Sequence, residues 1–122
     1  MVKQTSKGPG QRQLRVGELL RRALSDVIMR GGLHDPELAH AVITVAEVRV
    51  SPDLGVARAY LSFFPTEKKD HGIVLANEKK AHLRKLLANQ VGKQLRKIPE
   101  LSFFVDDSLD YFEEIDRLLK KG

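Results

Sequence analysis

The chain has 122 residues, 42% of them apolar, which is enough for one packed domain and not comfortably two. It has no cysteine, excluding disulfides and thiolate zinc sites, and no apolar run of the roughly 18 residues a membrane-spanning helix needs. The formal net charge of +5 is unevenly spread: residues 1–30 and 65–99 are basic, 31–64 and 100–122 acidic, and such a directional field suits a polyanionic partner.

Met1 to Gln11 is rich in Lys, Gly, Pro, Ser and Gln and lacks the apolar stretch of a secretory signal. It reads as a flexible arm, with a single domain over residues 12–122. The missing signal and the missing cysteines point to the cytoplasm. Residues 14–30 predict an amphipathic helix. Val16, Leu19, Leu20, Ala23, Leu24, Val27 and Ile28 form its apolar stripe, and Arg15, Glu18, Arg22 and Ser25 lie opposite. Gly31-Gly32 ends it, since glycine accepts the left-handed conformation of a helix terminus. His34-Asp35-Pro36 reads as a turn.

Two strands follow. In Val42 to Ser51, alternation places Val42, Thr44, Ala46, Val48 and Val50 on one face. In Val56 to Phe64, Ala57, Ala59, Leu61 and Phe63 share a face, with Arg58, Tyr60 and Ser62 opposite. Ser51-Pro52-Asp53-Leu54-Gly55 has turn chemistry, which makes the pair a hairpin, and Pro65 ends it. Residues 71–98 are helical in character. Leu83, Leu86, Leu87, Val91, Leu95 and Ile98 form a stripe that Ile73, Val74 and Leu75 do not extend. That mismatch predicts a break near residues 78–82, with Pro99 as the stop. Leu101 to Asp106 alternates as a third strand. Asp107 or Ser108 would cap a last helix burying Phe112, Ile115 and Leu119. The fold class is α+β: one domain with a three-stranded sheet covered by helices.

No catalytic constellation emerges. His34, His40, His71 and His82 include no i, i+4 pair, so the helical metalloprotease pattern is absent. Asp106-Asp107-Ser108-Leu109-Asp110 lacks the glycine and downstream glutamate of a calcium loop. Gly92-Lys93 has no upstream glycine at phosphate-loop spacing. No metal, cofactor or small-molecule substrate is expected, and no enzyme activity. The basic stretches carry more. Lys85, Asn89, Lys93 and Arg96 recur at helical spacing opposite the leucine stripe, and Lys79, Lys80, Arg84 and Lys97 flank them. Arg15 and Arg22 form a second, shorter stripe. Such cations suit phosphates. Tyr60, Phe64 and Phe104 could be exposed, but with only seven aromatics in the chain, recognition by base stacking is not expected.

The order helix, strand, strand, helix, helix, strand resembles the type II KH fold. Three blocks are closer still to the ribosome-binding factor A family: RVGELLRRALSDVIMRGGLHDPEL, VITVAEVRVSPDLGVARAYLSFF and LRKLLANQVGKQLRKIPELSFFVDDSLD. Together they fall within roughly residues 12–120. The resemblance implies binding to the small (30S) ribosomal subunit during late assembly, near the decoding region. It also implies help in maturing the 16S ribosomal RNA, support of growth in the cold, and no cofactor or catalysis. In place of a Gly-x-x-Gly loop, the family places a kink between the two central helices, for which Ala81 is the candidate centre here. The residues expected to face RNA, chosen from the charge geometry, are Arg15, Arg22, Lys80, Arg84, Lys85, Lys93, Arg96 and Lys97. A monomer is expected. A generic RNA or single-stranded DNA binder, and a protein-interaction module using the acidic segment 106–116, are the competing readings.

Overall fold

The structure, a computed structural model, describes residues 8–106 and 116–120. Helix α1 spans Gln11–Val27, starting earlier than its apolar stripe because the Gln13 side chain accepts from the Gly10 N–H at the helix mouth. Val16, Leu20, Ala23, Leu24 and Val27 are buried, as the stripe demands. After Val27 the chain widens into a π-type turn over Ile28–Gly32, and Gly31 takes φ 98°, the left-handed conformation that glycine tolerates. Asp35 then accepts from the Glu37 N–H and starts a short 3-10 turn, Pro36–Leu38.

Strands β1 (Val42–Val50) and β2 (Val56–Phe64) form the antiparallel hairpin. Simple alternation fails in β1. Val45 opposes Leu61 and Glu47 opposes Tyr60, leaving Ala46 as an extra residue in a bulge. The bulge swaps the faces. Val45 lies in the core together with Val48 and Val50, while Val42, Thr44 and Ala46 are exposed. The sequence pattern hides this because both candidate faces of β1 are rich in valine.

Helices α2 (Lys69–Glu78) and α3 (Lys80–Val91) follow, then β3 (Glu100–Val105). The sheet order is β1-β2-β3, with β3 parallel to β2. α1 packs on β1 and on α3, and α2 and α3 pack on β3. All three lie over the face from which Ala57, Ala59, Leu61, Phe63, Leu101 and Phe103 reach into the core. The fit is close. A Cβ on Gly17 would come 2.6 Å from the Val48 carbonyl oxygen, and one on Gly72 would overlap the Phe63 ring. Asn77 holds α2 to the outer edge of β3: its amide donates to the Phe103 carbonyl (3.0 Å) and its oxygen accepts the Phe103 N–H (3.0 Å).

The break between the central helices falls at Lys79 (φ −97°, ψ 13°), within the predicted window. Ala81 is therefore not its centre. It lies two residues later, in the first turn of α3. α3 also stops at Val91, well before Pro99. Gly92 caps it, Gln94 and Leu95 donate back to the Val91 carbonyl, and residues 92–98 form turns. Residues 116–120 are helical, but Leu119 is 75% exposed and not buried as expected. Asp107, Ser108, Phe112 and Ile115 lie outside the described residues.

Candidate nucleic-acid interface

α3 and the turns after it present a band of cations. Lys80 and Lys85 project from α3, and Lys93, Arg96 and Lys97 from the 92–98 segment; all five are exposed. Lys80, Lys85, Lys93 and Arg96 have no carboxylate within ion-pair distance among the described residues. The opposite face of α3 buries Leu83, Leu87 and Val91. Lysine and arginine ends held outward from a fixed helix suit phosphate contact. Because α3 ends at Val91, Lys93 and Arg96 do not continue its stripe. Their placement comes from the turns.

Arg84, expected in this band, is spent inside the fold. Its Nη2 donates to the Ile98 carbonyl at 2.6 Å, and its Nε reaches the Ile98 and Pro99 carbonyls at 3.2 and 3.1 Å. Pro99 disfavours helical geometry at Ile98, and Arg84 takes up the carbonyls this leaves without helical partners. Lys97 sits by the hairpin turn, close enough for its charge to help hold the Asp53 carboxyl below the usual carboxylate range. Larger contributions there come from the Ser51 hydroxyl and the Gly55 N–H, which hydrogen-bond Asp53 at 2.7 and 3.0 Å.

The α1 stripe is divided. Arg15 is exposed with no carboxylate partner among the described residues, but Arg22 pairs with Glu18 at 3.0 Å. Glu18 is shared with Arg21, whose Nη2 lies 2.6 Å away. Hydrogen bonds from Arg21 first and Arg22 second lower the Glu18 pKa to about 2.

Three features escaped the sequence reading. Lys79, at the helix break, donates to the His34 carbonyl at 3.2 Å. His71, near the start of α2, meets Asp35 at 3.1 Å and Glu37 at 3.5 Å. The Leu33–Leu38 turn thus clasps α2 at both ends. On the open face of the sheet, Tyr60 and Phe104 stack with ring centroids 5.6 Å apart, and the Arg49 guanidinium lies 5.3 Å from the Tyr60 ring centre. None of these has a local signature, because each joins residues far apart in the chain.

A single α+β domain with one helix-covered sheet and an outward band of cations, four of them without a carboxylate partner among the described residues, defines the class: a small protein whose charge suits a polyanion. Comparison with known proteins narrows this. Residues 12–119 match the family model described as Ribosome-binding factor A, and the chain belongs to that family. It is similar to the ribosome-binding factor A of Roseobacter denitrificans, 44% identical over 118 residues covering 97% of this chain and 81% of the relative. That of Paracoccus denitrificans is 45% identical over 114 residues, covering 93% and 81%. The crystal structure of ribosome-binding factor A from Thermus thermophilus superposes with a TM-score of 0.64 at 28% identity, covering 76% of this chain and 94% of that one. Coordinates of the Thermus thermophilus factor fitted into a cryo-EM map of a 30S complex give 0.61 at 30% identity, covering 75% and 91%.

Proposed function

We propose that the protein is a non-enzymatic assembly factor that docks on the small ribosomal subunit and assists late maturation of its 16S ribosomal RNA. The observation that carries this reading is the band of exposed cations on α3 and the 92–98 segment, of which Lys80, Lys85, Lys93 and Arg96 have no carboxylate partner among the described residues, in a chain of this family. A 30S complex has been described for the Thermus thermophilus relative, and the exposed cations here support the same partner for this chain. The KH-like order of elements, work in the cytoplasm, a monomeric state, support of growth in the cold, and the absence of any cofactor or small-molecule substrate belong to this reading. The 30S-facing residues are Lys80, Lys85, Lys93, Arg96 and Lys97, with Arg15 at the margin. Arg84 and Arg22 act by shaping the surface.

The test is sedimentation of the protein with purified small subunits, large subunits and joined ribosomes, at low and moderate salt. Selective migration with free small subunits, weakening with salt, is the expected result. The combined changes Lys85→Glu, Lys93→Glu and Arg96→Glu abolish that migration while the circular dichroism spectrum stays native, because all three side chains point away from the core. Undiminished migration of a natively folded triple variant overturns the assignment of this face.

A further inference from the structure

The open face of the sheet carries a stack running across all three strands. Arg49 on β1 lies over the Tyr60 ring on β2, and Tyr60 stacks with Phe104 on β3 at an interplanar angle of 28°. Because β1 and β3 flank β2, the rungs are ordered guanidinium, phenol, phenyl across the sheet. The series ends at Phe104, on an edge strand, with 43% of the residue exposed. The helices that cover the sheet, α1, α2 and α3, pack on its other face. The first rung is closed off, because the Arg49 guanidinium is also held by Glu47 at 2.8 Å. Arg58 stands beside the stack. It is two residues from Tyr60 on the same face, paired across the strands with Arg49 on one side and with half-exposed Ser102 on the other. It has no carboxylate partner among the described residues. Like charges directly opposite on neighbouring strands repel, and Glu47 neutralises only one of the pair, so Arg58 is left to attract an anion.

The geometry points to a second RNA contact on this face: an unpaired base stacks on the outer side of Phe104 as the fourth rung, and Arg58 and Ser102 hold its phosphate. A π-face and an adjoining anion are what a nucleotide offers, and stacking of this kind tolerates any base. Phe64, 65% exposed further along β2, lies on the same side for a neighbouring base. This inference rests on the RNA-binding reading above and adds a surface on the face of the sheet opposite α3, one that takes single-stranded rather than folded RNA.

The experiment uses the full chain, a fluorescein-labelled ten-nucleotide oligouridylate as probe, and NMR of the aromatic ring protons. Titration shifts the Tyr60 and Phe104 ring signals. Phe104→Ala weakens binding about tenfold and leaves the salt dependence unchanged, whereas Phe104→Tyr keeps the affinity. Arg58→Glu weakens binding and flattens the salt dependence. Ring signals that do not move, with Phe104→Ala binding as the wild type does, overturn the proposal. So does concentration-dependent broadening of those signals without RNA, which would assign the face to a second copy of the chain. Wild-type sedimentation with small subunits is measured in parallel. Migration with the subunits alongside indifference to Phe104 sinks this contact alone, and absence from every ribosomal fraction sinks the assembly-factor reading.

Discussion

At Arg84 the guanidinium has its donors on the Ile98 and Pro99 carbonyls, whereas one residue further on Lys85 is exposed and unpaired among the described residues. The two residues therefore separate stability from binding. Arg84→Ala leaves carbonyls without partners and lowers stability by about 1–3 kcal/mol in urea unfolding. Lys85→Ala leaves the unfolding midpoint in place and weakens subunit binding. Asn77 offers a comparable test: Asn77→Ala orphans both backbone groups of Phe103 at the sheet edge and costs about 1–3 kcal/mol by the same measurement. Glu18 sets an acid limit. Its pKa is depressed from 4.5 to about 2 by the two arginines, so its contribution to holding α1 is fully present above pH 4.5. That contribution fades as pH falls from 4.5 toward 2. Following the Glu18 side-chain carbonyl by NMR through this range checks it, and a midpoint near 4.5 would show the arginine pairing absent in solution. None of these roles was legible beforehand. A basic stretch looks uniform in sequence, and only the fold decides which cation is spent on a carbonyl, which on a glutamate, and which is left for a partner.

The elements were legible where their signals are local. The α1 stripe, the glycines that end it, the Asp53 turn and the break between the central helices all follow from residues within a few positions of one another. The misses share a different origin. Ala46 bulges because of how β1 registers against β2, and no window within β1 contains that information. α3 stops at Val91 although Leu95 and Ile98 extend its stripe, because the 92–98 segment is held by Arg84 and by Pro99, which is fully buried. Helix packing gives a sharp prediction at this scale. Gly72 faces Phe63 with no room for a methyl group, so Gly72→Ala forces α2 away from β2 and lowers stability by about 1–3 kcal/mol. Unfolding of that variant with an unchanged midpoint would show that α2 has slack against the sheet.

For the molecule as a whole, the separation of charge is functional only if phosphate contacts dominate affinity. Every phosphate that a side chain neutralises steepens the fall of log affinity with log salt. Removing a single cation of the α3 band, as in Lys93→Ala, therefore flattens that slope by about 0.7–0.9. Binding that weakens with an unaltered slope would place Lys93 away from the RNA. The resemblance in sequence identified the family, and the charge pattern led to the region proposed to meet RNA. Neither reveals the cross-sheet stack, whose three members are brought together only when β3 joins β2.

That parallel pairing also fixes an order of events. The hairpin closes through neighbouring residues, but Val56 pairs with Glu100 only after α2 and α3 have carried the chain back across the sheet. Such long-range closure is entropically costly and slows folding relative to closure of a local hairpin. During synthesis the hairpin, α1 and α2 emerge while Ala57 and Ala59 still lack their cross-strand neighbours Leu101 and Phe103. The third strand to leave the ribosome is thus the one that seals the core, and a nascent chain arrested before Glu100 holds an unfinished sheet with an unsatisfied edge.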